Sequence, residues 1–328
     1  MGAGRHSDYV SGVEGTVVRA SASGKVILLG EHAVVYGRPA VAVPLSGLRA
    51  TATLTPHPGP FRIQAPAVGI DAPLSELPPD HPLARIVVLT AEHLRRPPPE
   101  ALLRIESEIP VASGLGSGAA VSTAIVRALA AWYGVLLEPP TVSALVYEVE
   151  RIYHGTPSGI DNTVIAYERP VYFVRGRPPE PLPVGAPLHL LVADSGIPSQ
   201  TREVVGDVRR RWEAEPARYE ALFDRVAEAV EAARGAIARG DARALGEQMN
   251  ANHELLREIG VSAPALDRLV EAARRAGARG AKLSGAGRGG NIIALVEPSS
   301  AGEVEEALKG AGAACVWRTE IAAGAAET

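Results

Sequence analysis

Glycine and serine dominate residues 110–118, and an apolar segment with the composition of a buried helix follows them. Glycines allow several backbone N–H groups to turn toward one point, and the N-terminus of a following helix adds positive potential there. Such a segment can hold a phosphate group, although it lacks the Gly-Lys-Ser/Thr ending of a Walker A loop. A flexible loop without a ligand explains the same composition equally well.

Two acidic residues, Glu150 and Asp161, flank a short segment that contains Pro157 and Gly159. Phosphoryl transfer needs an oxygen ligand for Mg²⁺ and, in many enzymes, a carboxylate that accepts the proton of the attacking alcohol. Two acids held by a helix end and a turn would meet both needs. Taken alone, the pair is weak support for this chemistry, because most Asp and Glu residues are solvated surface residues.

Lysine occurs only at positions 25, 282 and 309, and the other basic residues are arginines. Lys provides a compact point charge where Arg provides a planar fork, so each lysine is a candidate for a specific role. Lys25 precedes an apolar run that is interrupted by Gly30-Glu31-His32. A polar dyad beside buried strands needs partners, which indicates a site. For the other two lysines, solvated surface positions are the simplest prediction.

A second glycine-rich segment covers residues 282–290 and precedes an apolar run at 291–296. Its sequence, Lys-Leu-Ser-Gly-Ala-Gly-Arg-Gly-Gly, is typical of a tight turn before a strand. By itself it could be an ordinary hairpin connection.

These four segments resemble, in their order, the motifs of the GHMP kinases. The matching residues are 24–37, the Gly-Leu-Gly-Ser of 114–117, 150–161 and the Ser-Gly-Ala-Gly of 284–287. Within that family the motifs are most similar to those of the mevalonate kinases. The matched segments are spread over most of the chain, and four of them in the correct order make chance agreement very rare.

The resemblance implies an α+β fold of two domains with the active site in the cleft between them. We place the domains at 1–185, a ribosomal S5 domain 2-like unit with the phosphate loop and the catalytic Asp, and at 186–328, a ferredoxin-like unit. It implies ATP and Mg²⁺ as cofactors, and transfer of the γ-phosphoryl group of ATP to the C5 hydroxyl of (R)-mevalonate in isoprenoid biosynthesis. The resemblance does not decide whether the protein forms a homodimer.

The resemblance also assigns roles to individual residues. Asp161 would be the catalytic base, Lys25 the cation that stabilises the incipient alkoxide, and Glu150 a ligand of Mg²⁺ together with Ser117. Candidate contacts of the ATP phosphates are the residues of the first glycine-rich segment, Pro110, Val111, Ala112, Ser113, Gly114, Leu115, Gly116, Ser117 and Gly118. Candidate contacts of the substrate are Glu31, His32, Thr201, Gly285, Ala286 and Gly287. For Thr201, capping of a helix over 202–211 is an equally good interpretation.

Three residues depart from the usual family pattern. Gly118 stands where a second Ser is usual. Either Ser117 is the hydroxyl that matters, or water completes the Mg²⁺ shell. Arg288 stands where Gly is usual, and it could contact phosphate or point outward from the surface. Asn291 replaces a small residue or Cys.

Hydrophobic spacing predicts the elements that must position these residues. Predicted strands cover 16–20, 25–29, 40–43, 50–54, 102–105, 188–193 and 291–296, with a small-residue turn at 21–24. Predicted helices cover 83–94, 119–133, 222–237, 264–277 and a segment opened by Thr141 as its N-cap. The proline-rich stretch 56–82 is predicted to run over the surface, and Pro, Gly and Arg around 175–187 mark the domain boundary.

Composition excludes several classes of protein. Hydrophobic residues at 46% and charged residues at 21% are those of a folded globular protein. The net charge of -4 argues against nucleic acid and anionic membrane surfaces as partners. The single cysteine, Cys315, cannot form an intramolecular disulfide, and no Cys/His cluster has zinc spacing. We therefore expect a cytoplasmic protein.

Several related activities compete with mevalonate phosphorylation. Phosphomevalonate kinase is the main alternative, because its substrate differs by one phosphate. A galactokinase would have Thr-Asp after Gly-Glu-His, where this chain has Ala33-Val34, and the Lys and Gly-Glu-His motif disfavours a mevalonate diphosphate decarboxylase. A ligand-sensing pseudokinase would explain Gly118 and Arg288, but a sensor does not need the base Asp161.

Overall fold

The computed structural model describes residues 16–110, 113–154 and 157–324. Val111 and Ala112, which were predicted to contact ATP, lie outside these ranges. Within them, no helix combines the length and the apolar character that a membrane crossing requires.

Strands of the N-terminal half form one mixed sheet in the order β4-β3-β5-β2-β6-β7, with β1 paired to β2. The strands are β1 (Val18–Leu29), β2 (Ala40–Pro56), β3 (Arg62–Ala65), β4 (Ile70–Pro73), β5 (Ala101–Ser107), β6 (Val171–Phe173) and β7 (Glu180–Pro181). The helices are α1 (Pro82–Leu94), α2 (Ser117–Trp132), α3 (Pro139–His154) and α4 (Ile160–Tyr167). Helix α2 is rich in buried alanine, so it packs closely on β1 and β2.

The C-terminal half forms an antiparallel sheet in the order β11-β8-β10-β9. Its strands are β8 (Leu188–Asp194), β9 (Gly280–Ser284), β10 (Asn291–Val296) and β11 (Cys315–Ile321). Its helices are α5 (Thr201–Ala214), α6 (Pro216–Arg239), α7 (Ala242–Ile259), α8 (Pro264–Arg275) and α9 (Ala301–Gly310). A β-α-β-β-α-β succession with this strand order is ferredoxin-like, as predicted. The domain limits 1–185 and 186–328 stay a prediction, although β7 ends at Pro181 and β8 begins at Leu188.

The small residues at 21–24 do not form the predicted turn. They lie inside β1, which pairs with β2 on both sides of a register shift between Ser23 and Gly24. A Cβ on Gly24 would lie 3.1 Å from the carbonyl O of Leu115. The small residues therefore mark a bulge and a close approach of the first glycine-rich segment (110–118), the predicted phosphate loop, and not a reversal of the chain.

The proline-rich stretch 56–82 also differs from its prediction. It contains β3 and β4, and Phe61 and Ile63 are buried in the core. Helix α3 begins at Pro139 rather than after Thr141, since proline fits the first turn of a helix.

Candidate active site

A lysine and an aspartate meet where β1 passes the start of α4. Nζ of Lys25 lies 2.9 Å from Oδ1 of Asp161. The Lys25 side chain is 3% exposed, whereas the Asp161 side chain is 33% exposed. The carboxylate is therefore the member of the pair that a substrate can reach.

The phosphate loop lies directly against Lys25. The backbone N–H of Lys25 donates to the carbonyl O of Leu115 at 3.0 Å. Gly116 has a φ of +77°, and a Cβ there would lie 2.8 Å from Cδ1 of Ile165 and 3.0 Å from Cγ of Lys25. Glycine satisfies both the left-handed backbone and this close approach. Helix α2 begins at the next residue, Ser117, and its N-terminus adds positive potential beside the pair.

Glu150 lies near the C-terminal end of α3, beside the first turn of α2. A Cβ on Gly118 would lie 3.5 Å from Oε1 of Glu150. Burial raises the pKa of Glu150 to about 7; the charge of Asp161 raises it as well, and the charge of Lys25 opposes them. A bound cation would favour the ionised form of this carboxylate.

The chemistry of these groups suits Mg²⁺. Among the described residues, no group of three or more His, Cys, Asp and Glu could hold a metal ion. Mg²⁺ does not need such a group, because it keeps several waters and binds through one or two carboxylates together with substrate phosphates. Glu150 and the half-buried Ser117 both border the phosphate loop, and Oγ of Ser117 makes a long contact of 3.5 Å to the carbonyl O of Ile109.

The stability of the protein should depend on pH through the ionisation of Glu150. An acid whose pKa is raised by folding binds its proton more tightly in the folded state, so stability falls as pH rises from 4.5 to about 7. At about 1.4 kcal/mol per pKa unit, the loss is about 3 kcal/mol. We expect Glu150→Gln, which cannot ionise, to lack this loss. Urea denaturation of both proteins without metal, at about pH 5 and about pH 8, measures the difference.

Glu150→Gln is the necessary reference, because two histidines change the stability of the protein with pH in the opposite direction. Burial lowers the pKa of His32 and of His253 to about 4, so their contribution to stability is lost as pH falls below 6.5. A difference between wild type and Glu150→Gln that is equal at both pH values would contradict the raised pKa of Glu150.

Glu31 and Lys282 form a buried ion pair between the two halves of the chain. Nζ of Lys282 donates to Oε1 of Glu31, and Nδ2 of Asn252 donates to Oε2 at 3.2 Å. Glu31 is 1% exposed and Lys282 is 0% exposed. Burial lowers the pKa of Lys282, and the charge of Glu31 opposes that effect. The prediction of a solvated surface position for Lys282 is therefore wrong.

Both carboxylate oxygens of Glu31 are thus engaged by protein groups. The substrate contact of Glu31 stays a prediction.

The neighbouring residue, His32, is held against the second glycine-rich segment. Its φ is +60°, a conformation that costs a non-glycine residue about 1–3 kcal/mol. Nε2 donates to the carbonyl O of Ala286 at 2.9 Å, and because a carbonyl only accepts, Nε2 carries the ring proton. Burial lowers the pKa of His32, the Ala286 carbonyl opposes this effect, and the charges of Arg288 and Lys282 act with burial. The ring is neutral at pH 7.

The segment 284–290 brings both predicted sides of the site together. Gly285 and Gly287 have left-handed backbones, and a Cβ on Gly287 would lie 2.0 Å from the carbonyl O of Val261. At the end of the segment, Nδ2 of Asn291 donates to the carbonyl O of Ser113 in the phosphate loop. The C-terminal half therefore contacts His32 through Ala286 and the phosphate loop through Asn291.

Thr201 is the first residue of α5, and the N-cap is Gln200. The interpretation of Thr201 as the helix cap is therefore wrong. The preceding segment is bound to the glycine-rich turn, because Oγ of Ser199 donates to the carbonyl O of Gly287 at 2.8 Å. The substrate contact of Thr201 stays a prediction.

Comparison with known proteins identifies the family to which the chain belongs. The model of the GHMP kinases N-terminal domain matches residues 83–169, and that of the GHMP kinases C-terminal domain matches residues 233–314. A mevalonate kinase of Thermococcus sibiricus is 37% identical over 314 residues, which cover 90% of this chain and 93% of that relative. The chain belongs to the GHMP kinases.

Solved structures of GHMP kinases share the whole fold. The L. major mevalonate kinase in complex with R-mevalonate superimposes with a TM-score of 0.82 at 32% identity, covering 94% of this chain and 97% of that chain. Streptococcus pneumoniae phosphomevalonate kinase, in complex with phosphomevalonate and AMPPNP, gives a TM-score of 0.80 at 19% identity, covering 92% and 99%. At 19% identity, the second similarity supports the fold alone.

Three residues of this GHMP kinase have structural roles at the site that the sequence did not reveal. Lys282 and Asn252 bind Glu31, and Asn291 binds the phosphate loop. The one available signal was the scarcity of lysine in an arginine-rich chain. Arg288 does not simply point outward from the surface: it is half-buried and forms an ion pair with Asp207 of α5, and its contact with phosphate stays a prediction.

Proposed function

We propose that this GHMP kinase transfers the γ-phosphoryl group of ATP to the C5 hydroxyl of (R)-mevalonate, giving 5-phosphomevalonate. The contact between the Lys25–Asp161 pair and the phosphate loop carries the proposal, because it puts a cation and a carboxylate beside a phosphate-binding helix terminus. Similarity to a mevalonate kinase over 90% of the chain supports the choice of substrate.

Asp161 orients the C5 hydroxyl and accepts its proton. Its side chain is exposed enough to meet a substrate, and Lys25 at 2.9 Å stabilises negative charge on the carboxylate and on the developing alkoxide. Because the transferring group passes through a loose transition state, positioning and charge stabilisation supply most of the rate enhancement.

The ATP phosphates are held by the loop from Pro110 to Gly118 and by the N–H groups at the start of α2. Glu150 and Ser117 are the residues that would hold Mg²⁺. The metal supplies positive charge that offsets the charge on the phosphate oxygens. The fixed N–H groups and Lys25 act on the same oxygens and need no reorganisation during the reaction.

The substrate side is formed by His32, Thr201 and the turn residues Gly285, Ala286 and Gly287. His32 is neutral with its proton on Nε2, so Nδ1 is a hydrogen-bond acceptor suited to a hydroxyl of mevalonate. Glu31 contributes by fixing the backbone before His32. We further propose a cytoplasmic enzyme, and light scattering of the purified protein would show whether it forms the homodimer that the resemblance leaves open.

A substrate panel tests this proposal. In an ADP-coupled assay with mevalonate, phosphomevalonate, galactose and homoserine, we expect kcat/KM for mevalonate to exceed each of the others by at least about 10²-fold. ATP binding is measured separately by calorimetry. Preference for phosphomevalonate would select the main alternative, and ATP binding without turnover of any compound would favour the ligand sensor.

A further inference from the structure

Arg288 is the one residue of the second glycine-rich segment whose side chain connects it to α5. Its φ is +56°, in the left-handed region that favours glycine. Its backbone N–H donates to the carbonyl O of Val261 at 2.8 Å, so the unusual conformation is fixed by hydrogen bonding on the far side of the turn.

The guanidinium of Arg288 has two partners. Nη1 donates to Oδ2 of Asp207, and Nη2 makes a longer contact of 3.4 Å to the carbonyl O of Gly260. The Arg288 and Asp207 side chains are 34% and 27% exposed, so the pair is partly shielded from solvent. The hydrogen bond from Arg288 lowers the pKa of Asp207.

The Arg288–Asp207 pair joins α5 itself to the glycine-rich turn, in addition to the bond from Ser199 in the segment before the helix. The buried residues of α5 are Val204 and Val208, and toward its other end Nε1 of Trp212 donates to Glu220 of α6 at 2.8 Å. Asp207 is therefore the charged anchor of the two turns that follow Thr201.

We propose that Arg288 is a positioning residue that fixes the first turns of α5 against the glycine-rich turn, and through them the placement of Thr201 at the substrate. Arg288 contacts neither Thr201 nor His32 by a hydrogen bond. Its effect on mevalonate affinity rests on the proposed function, whereas its effect on α5 does not.

Arg288→Gly tests the proposal with little risk of misfolding, because glycine adopts the left-handed backbone without strain. We expect the amides from Val204 to Val208 to exchange hydrogen at least about 10-fold faster than in wild type. We also expect the mevalonate KM to rise about 10-fold while the ATP KM changes by less than about 2-fold. Arg288→Lys should restore part of both effects, because it keeps the charge.

The matched control is Arg210→Ala. Arg210 pairs with the same carboxylate of Asp207 but lies on the helix itself and is 70% exposed, so its removal should change neither exchange nor KM. Unchanged exchange in Arg288→Gly would overturn the proposal, and a raised mevalonate KM with unchanged exchange would show that Arg288 acts on the substrate side without α5. If wild type does not phosphorylate mevalonate, the proposed function fails, while the exchange comparison still decides the anchoring of α5.

Discussion

Asp161→Asn should lower kcat by at least about 10²-fold and leave ATP binding nearly unchanged. Asn keeps an oxygen that accepts a hydrogen bond from Lys25 but cannot take the proton of the substrate hydroxyl. The ion pair of 2.9 Å becomes a hydrogen bond from the Lys25 ammonium to a neutral amide, so the site keeps its cation and loses the group that accepts the proton. Steady-state kinetics with mevalonate and calorimetry with ATP provide the two measurements.

Asp71→Asn is the matched control for this substitution. Asp71 is an exposed aspartate on β4 that pairs with Arg62 at 2.7 Å, in the sheet strand farthest from β7. This control tests whether the loss of any aspartate charge is sufficient to lower kcat. Near-normal kcat in Asp161→Asn, with unchanged thermal stability in both variants, would remove Asp161 from its proposed role.

Lys282→Met should lower the free energy of unfolding by about 3–5 kcal/mol, because it leaves the carboxylate of Glu31 buried without its cation. The pair is fully buried, and among the described residues Asn252 would remain on the carboxylate. Glu31→Gln in addition to Lys282→Met removes the orphaned charge, so the double variant should recover part of the lost stability. Urea denaturation gives all three values.

Lys309→Met provides the control with the same change of side chain. Lys309 is 49% exposed and pairs with Glu305 at 2.7 Å and Glu306 at 2.9 Å along its own helix. Its loss should cost less than about 0.5 kcal/mol. Equal losses of unfolding free energy in the two variants would mean that the buried Glu31–Lys282 pair stabilises the protein no more than an exposed pair does.

Sequence periodicity predicted the elements whose apolar faces are continuous. Helices α6 and α8 lie where spacing placed them because each buries one regular face, and strands β8 and β10 do so because they are continuous, largely buried apolar runs. Strands β3 and β4 were missed because proline obscures a run in which only Ile63 and Ala65 of β3 are buried. The bulge at Ser23 looked like a turn because bulges and turns select the same small residues.

The site was predictable where chemistry is encoded locally, and less so where it depends on distant partners. Lys25 and Asp161 could be paired through motif resemblance. Nothing local distinguishes Lys282 from a surface lysine, since its partner Glu31 is 251 residues away in the chain. The role of Arg288 could not be predicted for the same reason, because its side chain is explained only by the position of Asp207 on α5.

The product of the reaction tests the central claim most directly. After incubation of the wild-type protein with ATP, Mg²⁺ and (R)-mevalonate, ³¹P NMR should show ADP and one new phosphomonoester in equal amounts. The phosphorus of that ester should couple to the C5 methylene protons of mevalonate, and Asp161→Asn should form it far more slowly. Release of inorganic phosphate without the ester, or no consumption of ATP, would contradict phosphoryl transfer at the Lys25–Asp161 pair.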